Sequence, residues 1–300
     1  MKFSIIIPTH NRCDLLKSSV LSVLNQNFKD FEIIVVDDGG SDDTEQMLSE
    51  FDDDRIKYHW KKNEERSIAR NFGILRATGD YINFLDSDDH QLVNHLEKAN
   101  ELIIRNEFGE VYHLGYVIKD TEGNTLLERE IESLSRAEIC RDNVLHCNAI
   151  FIRKDIAEKN LFINSPYAML GEDWFLWIKL IFRYKIVFDK TITSVVVEHE
   201  NRSLNQIEPG VLEKSVFAIV EALHNEEDLW KTNRKYLEIY CSQQYKFLSL
   251  ILSSAGGHAK KALKYGIIAF NYNWKFAMSI QFFVIIRNLF FNVIRKRPEI

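Results

Sequence analysis

Cysteine is scarce in this sequence, and no two cysteines are spaced like a redox or metal-binding pair. The 300 residues contain four cysteines, at positions 13, 140, 147 and 241, and none belongs to a CxxC motif. Isolated cysteines are typical of free thiols in a reducing compartment. The N-terminus also lacks the apolar core of a signal peptide, because only the short stretch Phe3–Ile7 precedes Pro8. We therefore expect the protein on the cytoplasmic side.

An excess of positive charge is missing too, which argues against nucleic-acid binding by the chain as a whole. There are 38 Lys and Arg residues against 44 Asp and Glu residues, a formal net charge of -6, and 46% of the residues are hydrophobic. This balance is typical of a globular protein with a sizeable core. The charge is uneven, because residues 258–300 contain eight basic residues and one acidic residue. That segment carries +7, which leaves -13 on the remaining residues.

Strands and helices alternate through the first 90 residues. Apolar runs predict strands at Phe3–Ile7, Phe31–Val36, Arg55–Trp60 and Tyr81–Leu85, with helical spacing between them. This order predicts an α/β fold with a mostly parallel sheet flanked by helices. Asp42 with Glu45 predicts a capping box for the second helix.

The pattern loosens after His90 and becomes helical after about residue 208. Helices are predicted near 94–105 and from Gly171, and strands near 110–119, 125–130, 149–153, 186–188 and 191–197. We expect one domain with halves at 1–90 and 91–207, followed by a helical C-terminal region at 208–300. No repeat or low-complexity linker interrupts the chain.

Polar clusters follow three of the predicted strands. They are Pro8–Asn11, Asp37-Asp38 and Asp86-Ser87-Asp88-Asp89. Parallel strands end at one edge of a sheet, where ligands bind, so the clusters are expected to converge there. Three carboxylates within four residues repel one another unless a cation offsets them, which favours a divalent metal site over a solvated acidic turn.

Four residues of this edge are candidates for binding a nucleoside. Asp38 can accept hydrogen bonds from a base N–H or a ribose hydroxyl, with Asp37 or Asp38 capping the turn before Gly39 as the alternative. Thr9 and Asn11 can contact the base or the ribose, or only form the turn. We expect Arg70 to hold a uracil carbonyl or to balance Asp38, and an ordinary salt bridge is its alternative role. No G-x-G-x-x-G or P-loop follows the first strand, which excludes those two nucleotide-binding motifs.

Two further candidates lie in the second half. Glu172-Asp173 opens a helix, where acidic residues stabilise free N–H groups, but a carboxylate beside two tryptophans can also act as a general base. His199 follows a valine-rich strand and is a candidate for binding a metal or a diphosphate. The polar run Asn201-Arg202-Ser203 strengthens this interpretation over a structural histidine.

These motifs together resemble glycosyltransferase family 2, whose members are inverting transferases with a GT-A fold. The resemblance covers residues 3–203 and rests on the segments Ser4–Arg12, Ile33–Thr44, Ala69–Asp89 and Gly171–Leu180, together with His199. It implies transfer of a sugar from a nucleoside-diphosphate sugar, often a UDP-sugar, to a hydroxyl acceptor with Mn²⁺ or Mg²⁺. Synthesis of a surface polysaccharide or glycoconjugate is the expected setting.

The resemblance also implies roles for individual residues. Thr9, Asn11, Asp38 and Arg70 would hold the nucleoside, and Asp86 with Asp88 would form the Asp-x-Asp motif. Asp88 would bind the metal with His199, Asp173 would be the catalytic base, and Asp89 and Glu172 would support them. His10, Gly40 and Glu65 depart from the usual family pattern. His10 would change a stacking contact to the base and Glu65 the shape of a loop and its sugar contacts, whereas the loss of a hydroxyl at Gly40 would be tolerated.

Three other functions fit parts of the pattern. A non-catalytic nucleotide-sugar-binding subunit would keep the same binding residues. A sugar-phosphate nucleotidyltransferase has a related sheet, but the glycine-rich basic loop typical of it is absent from Thr9–Leu16. A glycosidase also uses two carboxylates, yet it needs neither a nucleotide-binding half nor a metal.

The C-terminal stretch Phe276–Ile294 is apolar and interrupted by Arg287. A charge at its middle disfavours a spanning helix, so we expect an amphipathic helix on a membrane surface. Packing on the protein's own core or on a dimer partner is the alternative, and the oligomeric state is left open. A peripheral position on the inner face of the membrane would make lipid-linked acceptors plausible beside saccharides.

Overall fold

The computed structural model describes residues 1–200, 208–255 and 258–295, with side chains up to Leu289 in the last helix. It divides into two compact units. The first contains residues 1–134, 144–166 and 172–205, and the second contains 135–143, 167–171 and 206–300. The predicted boundary at 208 lies close to this division, but the two short internal segments belong to the second unit rather than to the predicted half at 91–207. The run Asn201-Arg202-Ser203 lies outside the described residues.

The first unit is built on one sheet of nine strands. They are β1 (Phe3–Thr9), β2 (Phe31–Asp38), β3 (Ile56–Lys61), β4 (Tyr81–Phe84), β5 (His90–Gln91), β6 (Val111–Asp120), β7 (Thr125–Arg129), β8 (Ile150–Arg153) and β9 (Ile186–Glu198). The order is β3-β2-β1-β4-β8-β6-β9-β5, and β7 pairs with β6. Its helices are α1 (Cys13–Leu24), α2 (Thr44–Ser49), α3 (Arg66–Ile74), α4 (His95–Arg105), α6 (Lys154–Lys159) and α7 (Glu172–Arg183).

Strands β3, β2, β1 and β4 are parallel, as predicted. Residues of β1 and β2 are buried throughout, which explains their unbroken apolar runs, since helices cover both faces of such a sheet. The core of this unit lies between these strands and the helices α1 and α4. Thr9 lies opposite Asp37, and Asp38 lies opposite Lys61, so the ends of β1, β2 and β3 are side by side.

The other side of the sheet is mixed. Strand β8 runs antiparallel to β4 and β6, and β5 runs antiparallel to β9, whereas β6 and β9 are parallel. The two predicted segments at 186–188 and 191–197 form the single strand β9. The predicted α/β architecture with helices around a central sheet is confirmed.

Two local predictions were wrong. No side chain caps α2, because Asp42 instead accepts hydrogen bonds from Thr44 and from the backbone N–H of Cys13 at 2.9 Å. Helical spacing of Ile68, Phe72 and Leu75 predicts that they form the buried face of α3, but Leu75, just past the helix, is exposed and Arg70 is buried. Arg70 is buried because it forms ion pairs with carboxylates. The spacing of apolar residues along a helix gives no sign of such ion pairs.

The second unit is helical, as predicted for the C-terminal region. It contains α5 (Arg136–Ile139), α8 (Pro209–Asn225), α9 (Glu227–Ser254), α10 (Ala259–Tyr272) and α11 (Ile280–Arg295), with a 3-10 turn at Trp274–Met278. Ser215 on α8 donates to the carbonyl of Leu170 and accepts from its N–H, which fixes the segment Tyr167–Gly171 in this unit. Buried Ala269, Phe276 and Ile285 form a small core under α11.

Within the described residues, none of the helices combines the length and the apolar character that crossing a bilayer requires.

Candidate functional site

Neighbouring aspartates at the end of β2 have different surroundings. Asp37 accepts hydrogen bonds from the backbone N–H of Gly40 at 2.7 Å and from the hydroxyl of Tyr58 at 2.8 Å, so it holds the turn. Asp38 is buried and forms an ion pair with Lys61 at 2.7 Å. Its second bond, from the N–H of Glu64 at 3.0 Å, uses the same oxygen, Oδ1.

This arrangement corrects one expectation for Arg70. Lys61, at the end of β3, is the cation that balances Asp38, and Arg70 binds other carboxylates. Lys61 itself is buried and also donates to the carbonyl of Lys62 at 2.6 Å. A buried ion pair therefore lies at the edge of the sheet. The contacts from Lys61 and from the N–H of Glu64 both use Oδ1 of Asp38, and neither uses Oδ2.

The loop after β1 is tied to the loop after β2. Asn11 has a left-handed backbone, with φ of 52°, and its Oδ1 accepts from the N–H of Ser41 at 2.8 Å. His10 Nδ1 lies 2.9 Å from the carbonyl oxygen of Asp38. Thr9 is buried, and its hydroxyl has no hydrogen-bond partner within the described part of the chain. Such a hydroxyl indicates a place where a ligand or water supplies the missing bond.

Asp88 and His199 are brought together from distant parts of the sequence. His199 Nε2 lies 3.0 Å from Oδ2 of Asp88, and Arg12 Nη1 donates to the same oxygen at 2.7 Å. Asp88 is buried, whereas Arg12 is partly exposed. One carboxylate oxygen thus meets an imidazole and a guanidinium at the end of the sheet.

Asp89 explains how His199 reaches Asp88. Its Oδ1 accepts from the backbone N–H of Val197 at 2.8 Å, two residues before His199, and its Oδ2 accepts from Asn148 Nδ2 at 2.7 Å. Asn148 Oδ1 in turn accepts from the N–H of Asp86 at 3.1 Å. Asp89 is fully buried and acts as a structural link between the acidic loop and the end of β9.

Asp86 takes part in a second charged network. Arg70 donates to Asp86 at 2.6 Å and to Glu172 at 3.0 Å, and Arg66 also binds Glu172, at 2.8 Å. Burial alone would raise the pKa of Asp86, but the charge of Arg70 outweighs it and holds this pKa below its ordinary value. Asp86 is therefore an ionised carboxylate, and Glu172 anchors the start of α7 to α3.

Asp173 stands beside Glu172 at the first turn of α7 but is only half-buried. Its Oδ1 accepts from the backbone N–H of Trp174 at 2.6 Å. Glu172 binds two arginines and anchors the helix, and the partly exposed Asp173 is the candidate of the pair for a group that takes a proton from a substrate. The structure thus separates the two acids into an anchor and a candidate base.

Oδ1 of Asp88 is not used by the contacts to Arg12 and His199, so this oxygen and the His199 imidazole can serve as ligands of a divalent cation. Carboxylate oxygen and imidazole nitrogen are both ligands of Mn²⁺ and Mg²⁺ sites, although Mg²⁺ prefers oxygen. Asp86, Asp89 and His146 form another group whose ligand atoms lie within 4.8 Å of one another. Both oxygens of Asp89 already accept hydrogen bonds, so this second group is better explained as part of the structural network.

A cleft of about 540 Å³ opens beside the predicted residues. Its size is within the range of sites that bind small molecules. The lining residues are Asn11, Arg12, Cys13, Asp14, Leu15, Asp42, Asp43 and His199. Two predicted residues, Asn11 and His199, therefore border the cleft.

Sequence patterns did not single out Arg12, Lys61 or Asn148. Arg12 and Lys61 follow or end parallel strands, so the strand-end rule that identified Asp38 would have found them if applied to cations. Asn148 has no such signal, because it lies in a short 3-10 turn outside any recognised motif.

Comparison with known proteins identifies the family. A model described as glycosyl transferase family 2 matches residues 4–167, more than half of the chain. The chain belongs to glycosyl transferase family 2. The predicted family is thereby confirmed, and it is a family of transferase enzymes. The chain spans between about a third and three fifths of the length of several curated relatives that it matches.

One such relative of the family 2 chain comes from Campylobacter jejuni. It is named GalNAc(5)-diNAcBac-PP-undecaprenol beta-1,3-glucosyltransferase, and it is 34% identical over 190 residues, which cover 60% of this chain and 59% of the relative. Its name thus describes a glucosyltransferase acting on a glycan carried by undecaprenol diphosphate.

Two solved structures share the fold. S. aureus TarS 1-349 in complex with UDP-GlcNAc has a TM-score of 0.61 at 16% identity, covering 93% of this chain and 92% of TarS 1-349. The mannosyltransferase PcManGT from Pyrobaculum calidifontis, in complex with GDP-Man and Mn²⁺, has a TM-score of 0.57 at 15% identity, covering 98% and 88%. Both likenesses support the GT-A fold of this chain.

Proposed function

We propose that this family 2 protein transfers a sugar from a nucleoside-diphosphate sugar to a hydroxyl acceptor, with inversion at the anomeric carbon. The observation that carries the proposal is the meeting of Asp88 and His199 at 3.0 Å, beside the acidic loop that ends a parallel strand. Such a donor set suits a divalent cation, which neutralises the charge of a diphosphate leaving group when it is bound. Asp88 and His199 are the residues proposed to hold it.

The nucleoside is proposed to bind along the ends of β1 and β2. Thr9 offers a buried hydroxyl without a partner in the described residues, and Asp38 offers Oδ2 to a ribose hydroxyl or a base N–H. Asn11 borders the cleft and orders the loop that faces it. Arg70 is proposed to act through Asp86, since its guanidinium fixes that carboxylate for contact with the donor.

Asp173 is proposed as the general base. It would take the proton from the acceptor hydroxyl as that oxygen forms its bond to the anomeric carbon. The bond from this carbon to the diphosphate oxygen breaks on the opposite side, and the diphosphate leaves with the electron pair. Attack opposite to the leaving group inverts the configuration, and the fixed positions of Asp173 and Glu172 on one helix favour this alignment.

A UDP-sugar is the proposed donor and a lipid-linked saccharide the proposed acceptor. TarS 1-349 shares the fold and was solved with UDP-GlcNAc, and the Campylobacter relative is named for an undecaprenol-diphosphate glycan. The complex of PcManGT with Mn²⁺ supports manganese as the cation. The pairing of carboxylate and imidazole in this chain accommodates either Mn²⁺ or Mg²⁺.

A thermal-shift panel tests the donor and the cation together. UDP-, GDP-, CDP- and TDP-sugars are added with Mn²⁺ or with a chelator, and the donor that binds the folded protein raises its melting temperature. We expect a UDP-sugar to do so only with the cation, and Asp88→Asn to weaken this binding at least about tenfold.

Asp52→Asn is the matched control, because Asp52 is exposed and its left-handed backbone suits asparagine. It should bind the donor as the unchanged protein does. Equal binding after complete chelation, or by Asp88→Asn, would contradict the proposed cation site. Release of free sugar without any acceptor, undiminished by chelation, would favour a glycosidase instead.

A further inference from the structure

Helices α10 and α11 expose a set of apolar side chains in the second unit. We call this set the α10–α11 face. Its members are Leu263, Ile267, Phe270, Trp274, Met278, Ile280, Phe283 and Ile286, each more than a third exposed. Single exposed apolar residues are ordinary on a protein surface, but four members of the set line one groove, and such a patch indicates a binding surface.

A groove of about 130 Å³ runs through this face. Buried Phe276 and Ile285 contribute to its lining, and Ile267, Phe270 and Ile286 are among its exposed lining residues. All its lining residues are apolar or glycine, so the groove offers no hydrogen bond from a side chain. It therefore fits an occupant that is itself apolar.

The described parts of α10 and α11 each have a side that packs against their own unit and a side that is exposed. Ile285 is 3% exposed and packs with Ala269 and Phe276, whereas Phe283, two residues earlier on α11, is 63% exposed. On α10, Leu263, Ile267 and Phe270 follow at helical spacing and share one face. Packing on the protein's own core was the alternative role expected for Phe276–Ile294. It explains the buried side of α11, but the opposite side is apolar and exposed.

Cations border this face, and its own segment contains no acid, although Glu213 of α8 pairs with Lys261 at 2.6 Å. Residues 258–295 contain six Lys and Arg residues and no Asp or Glu. Lys260 and Lys264 lie one turn apart on α10, and both are exposed. Lys260 is three residues before Leu263 and Lys264 three residues before Ile267, so each lies next to a residue of the face. Lys275 and Arg287 are exposed as well.

We propose that the α10–α11 face docks on an anionic lipid surface, with its apolar side chains in the interface and its cations on the headgroups. Charge decides between this occupant and a second copy of the chain. Two copies meeting through this face would place like charges together, whereas anionic headgroups attract each of them. Trp274, which is 61% exposed, suits the boundary between headgroups and acyl chains.

Vesicle flotation with the full chain tests the proposal. The protein is floated with vesicles of phosphatidylcholine alone and with vesicles of equal parts phosphatidylcholine and phosphatidylglycerol. We expect flotation with the anionic vesicles only, and a loss of binding at high salt because screening weakens headgroup attraction. The double variant Lys260→Glu/Lys264→Glu should lower the partition coefficient at least about tenfold.

Matched variants separate docking from general effects on the surface. Lys231→Glu/Lys235→Glu makes the same charge change at the same spacing on α9 and should float as the unchanged protein does. Ile267→Ser/Phe283→Ser should lower binding about tenfold, since the removed side chains are the ones that enter the interface. Ile104→Ser/Phe108→Ser removes two side chains that are each 53% exposed in the first unit and is the control.

Each outcome decides the proposal. Selective flotation that both α10–α11 variants reduce and both controls retain supports it, provided that thermal melts show all variants folded. No flotation with anionic vesicles, or equal flotation of all variants, overturns it. A dimer that the α10–α11 variants dissociate, without flotation, also overturns it and assigns the face to a second copy. None of these readouts depends on sugar transfer.

Discussion

The strand ends of the first unit and the α10–α11 face of the second depart from ordinary burial in opposite directions. The strand ends hide charged side chains such as Asp38 and Lys61, whereas the helical face exposes Ile267 and Phe283. Buried charge requires a partner, and exposed apolar surface gains from one. The first place is thus suited to a polar ligand and the second to an apolar surface.

Removing the proposed base gives the largest expected effect and would break the chemical side of this comparison. Asp173→Asn should lower kcat about a thousandfold, because asparagine cannot take the acceptor proton. Donor binding, measured by thermal shift, should stay unchanged. Full transfer activity in this variant, with normal donor binding, would show that Asp173 is not the base.

Adjacent isoleucines on α11 sharpen the helical side of the comparison. Ile285→Ala should lower the free energy of unfolding by about 3 kcal/mol, because Ile285 is buried and its removal leaves a cavity. Ile286→Ala, at a site that is 46% exposed, should change it by no more than about 0.5 kcal/mol. Chemical denaturation measures both. Equal effects would mean that α11 has no buried side in solution.

Glu32 tests a buried charge at the opposite end of β2. It accepts from Ser4 at 2.6 Å and from the N–H of Thr78 at 2.6 Å, and it pairs with Lys57 and Lys2. Burial favours the neutral acid, but Lys57 and these hydrogen bonds outweigh it and depress the pKa of Glu32.

Glu32→Gln should therefore lower the free energy of unfolding by about 2 kcal/mol at neutral pH. A depressed pKa stabilises the fold above the unfolded value near 4.5, and this contribution is lost as the pH falls towards the folded value. The difference between the two proteins should shrink below pH 4.5 in denaturation series. Glu128→Gln, at an exposed position, is the control. If the difference in free energy of unfolding between the unchanged protein and Glu32→Gln did not vary with pH, Glu32 would not be ionised in the folded protein.

The smallest expected effect separates the two aspartates of β2. Asp38→Asn should weaken UDP binding about tenfold, since one acceptor oxygen becomes a donor, and it should also lower stability, because buried Lys61 loses its charged partner. Asp37→Asn should leave UDP affinity unchanged and lower stability by about 1 kcal/mol, because its contacts are to Gly40 and Tyr58. Calorimetric titration and denaturation distinguish them. The reverse pattern would exchange the roles of turn and ligand contact.

The parallel half of the sheet was predictable because its signals are local. Runs such as Phe31–Val36 are apolar throughout since both faces of the sheet are covered, and parallel strands necessarily end at one edge. The strand-end rule therefore locates Asp38 and Asp88 at this edge from the order of residues alone. His199 was a candidate because it follows a valine-rich strand, the resemblance implied its role, and the structure places it beside Asp88.

Other parts of the site were not predictable, because they depend on contacts between distant residues. Asn148 acquires its function only when β8 lies antiparallel to β4, a pairing that no spacing in the sequence records. Arg70 was expected to hold a uracil carbonyl or to balance Asp38, with an ordinary salt bridge as the alternative, and it forms ion pairs with Asp86 and with Glu172, which is 102 positions away. Ion pairs between residues far apart in the chain produce no periodic pattern in the sequence from which they could be predicted.

The internal segments Ser135–Asn143 and Tyr167–Gly171 have a consequence for biosynthesis. Both belong to the second unit, whose remaining residues begin only at 206. During translation these two segments therefore leave the ribosome before the helices on which they pack. The backbone N–H and carbonyl of Leu170 can form their hydrogen bonds to the Ser215 hydroxyl only after α8 has been synthesised. In a shortened chain that ends at residue 205, these two segments would have no helices to pack on. The second unit therefore cannot be expressed complete from residues 206–300 alone, because two of its segments lie earlier in the chain.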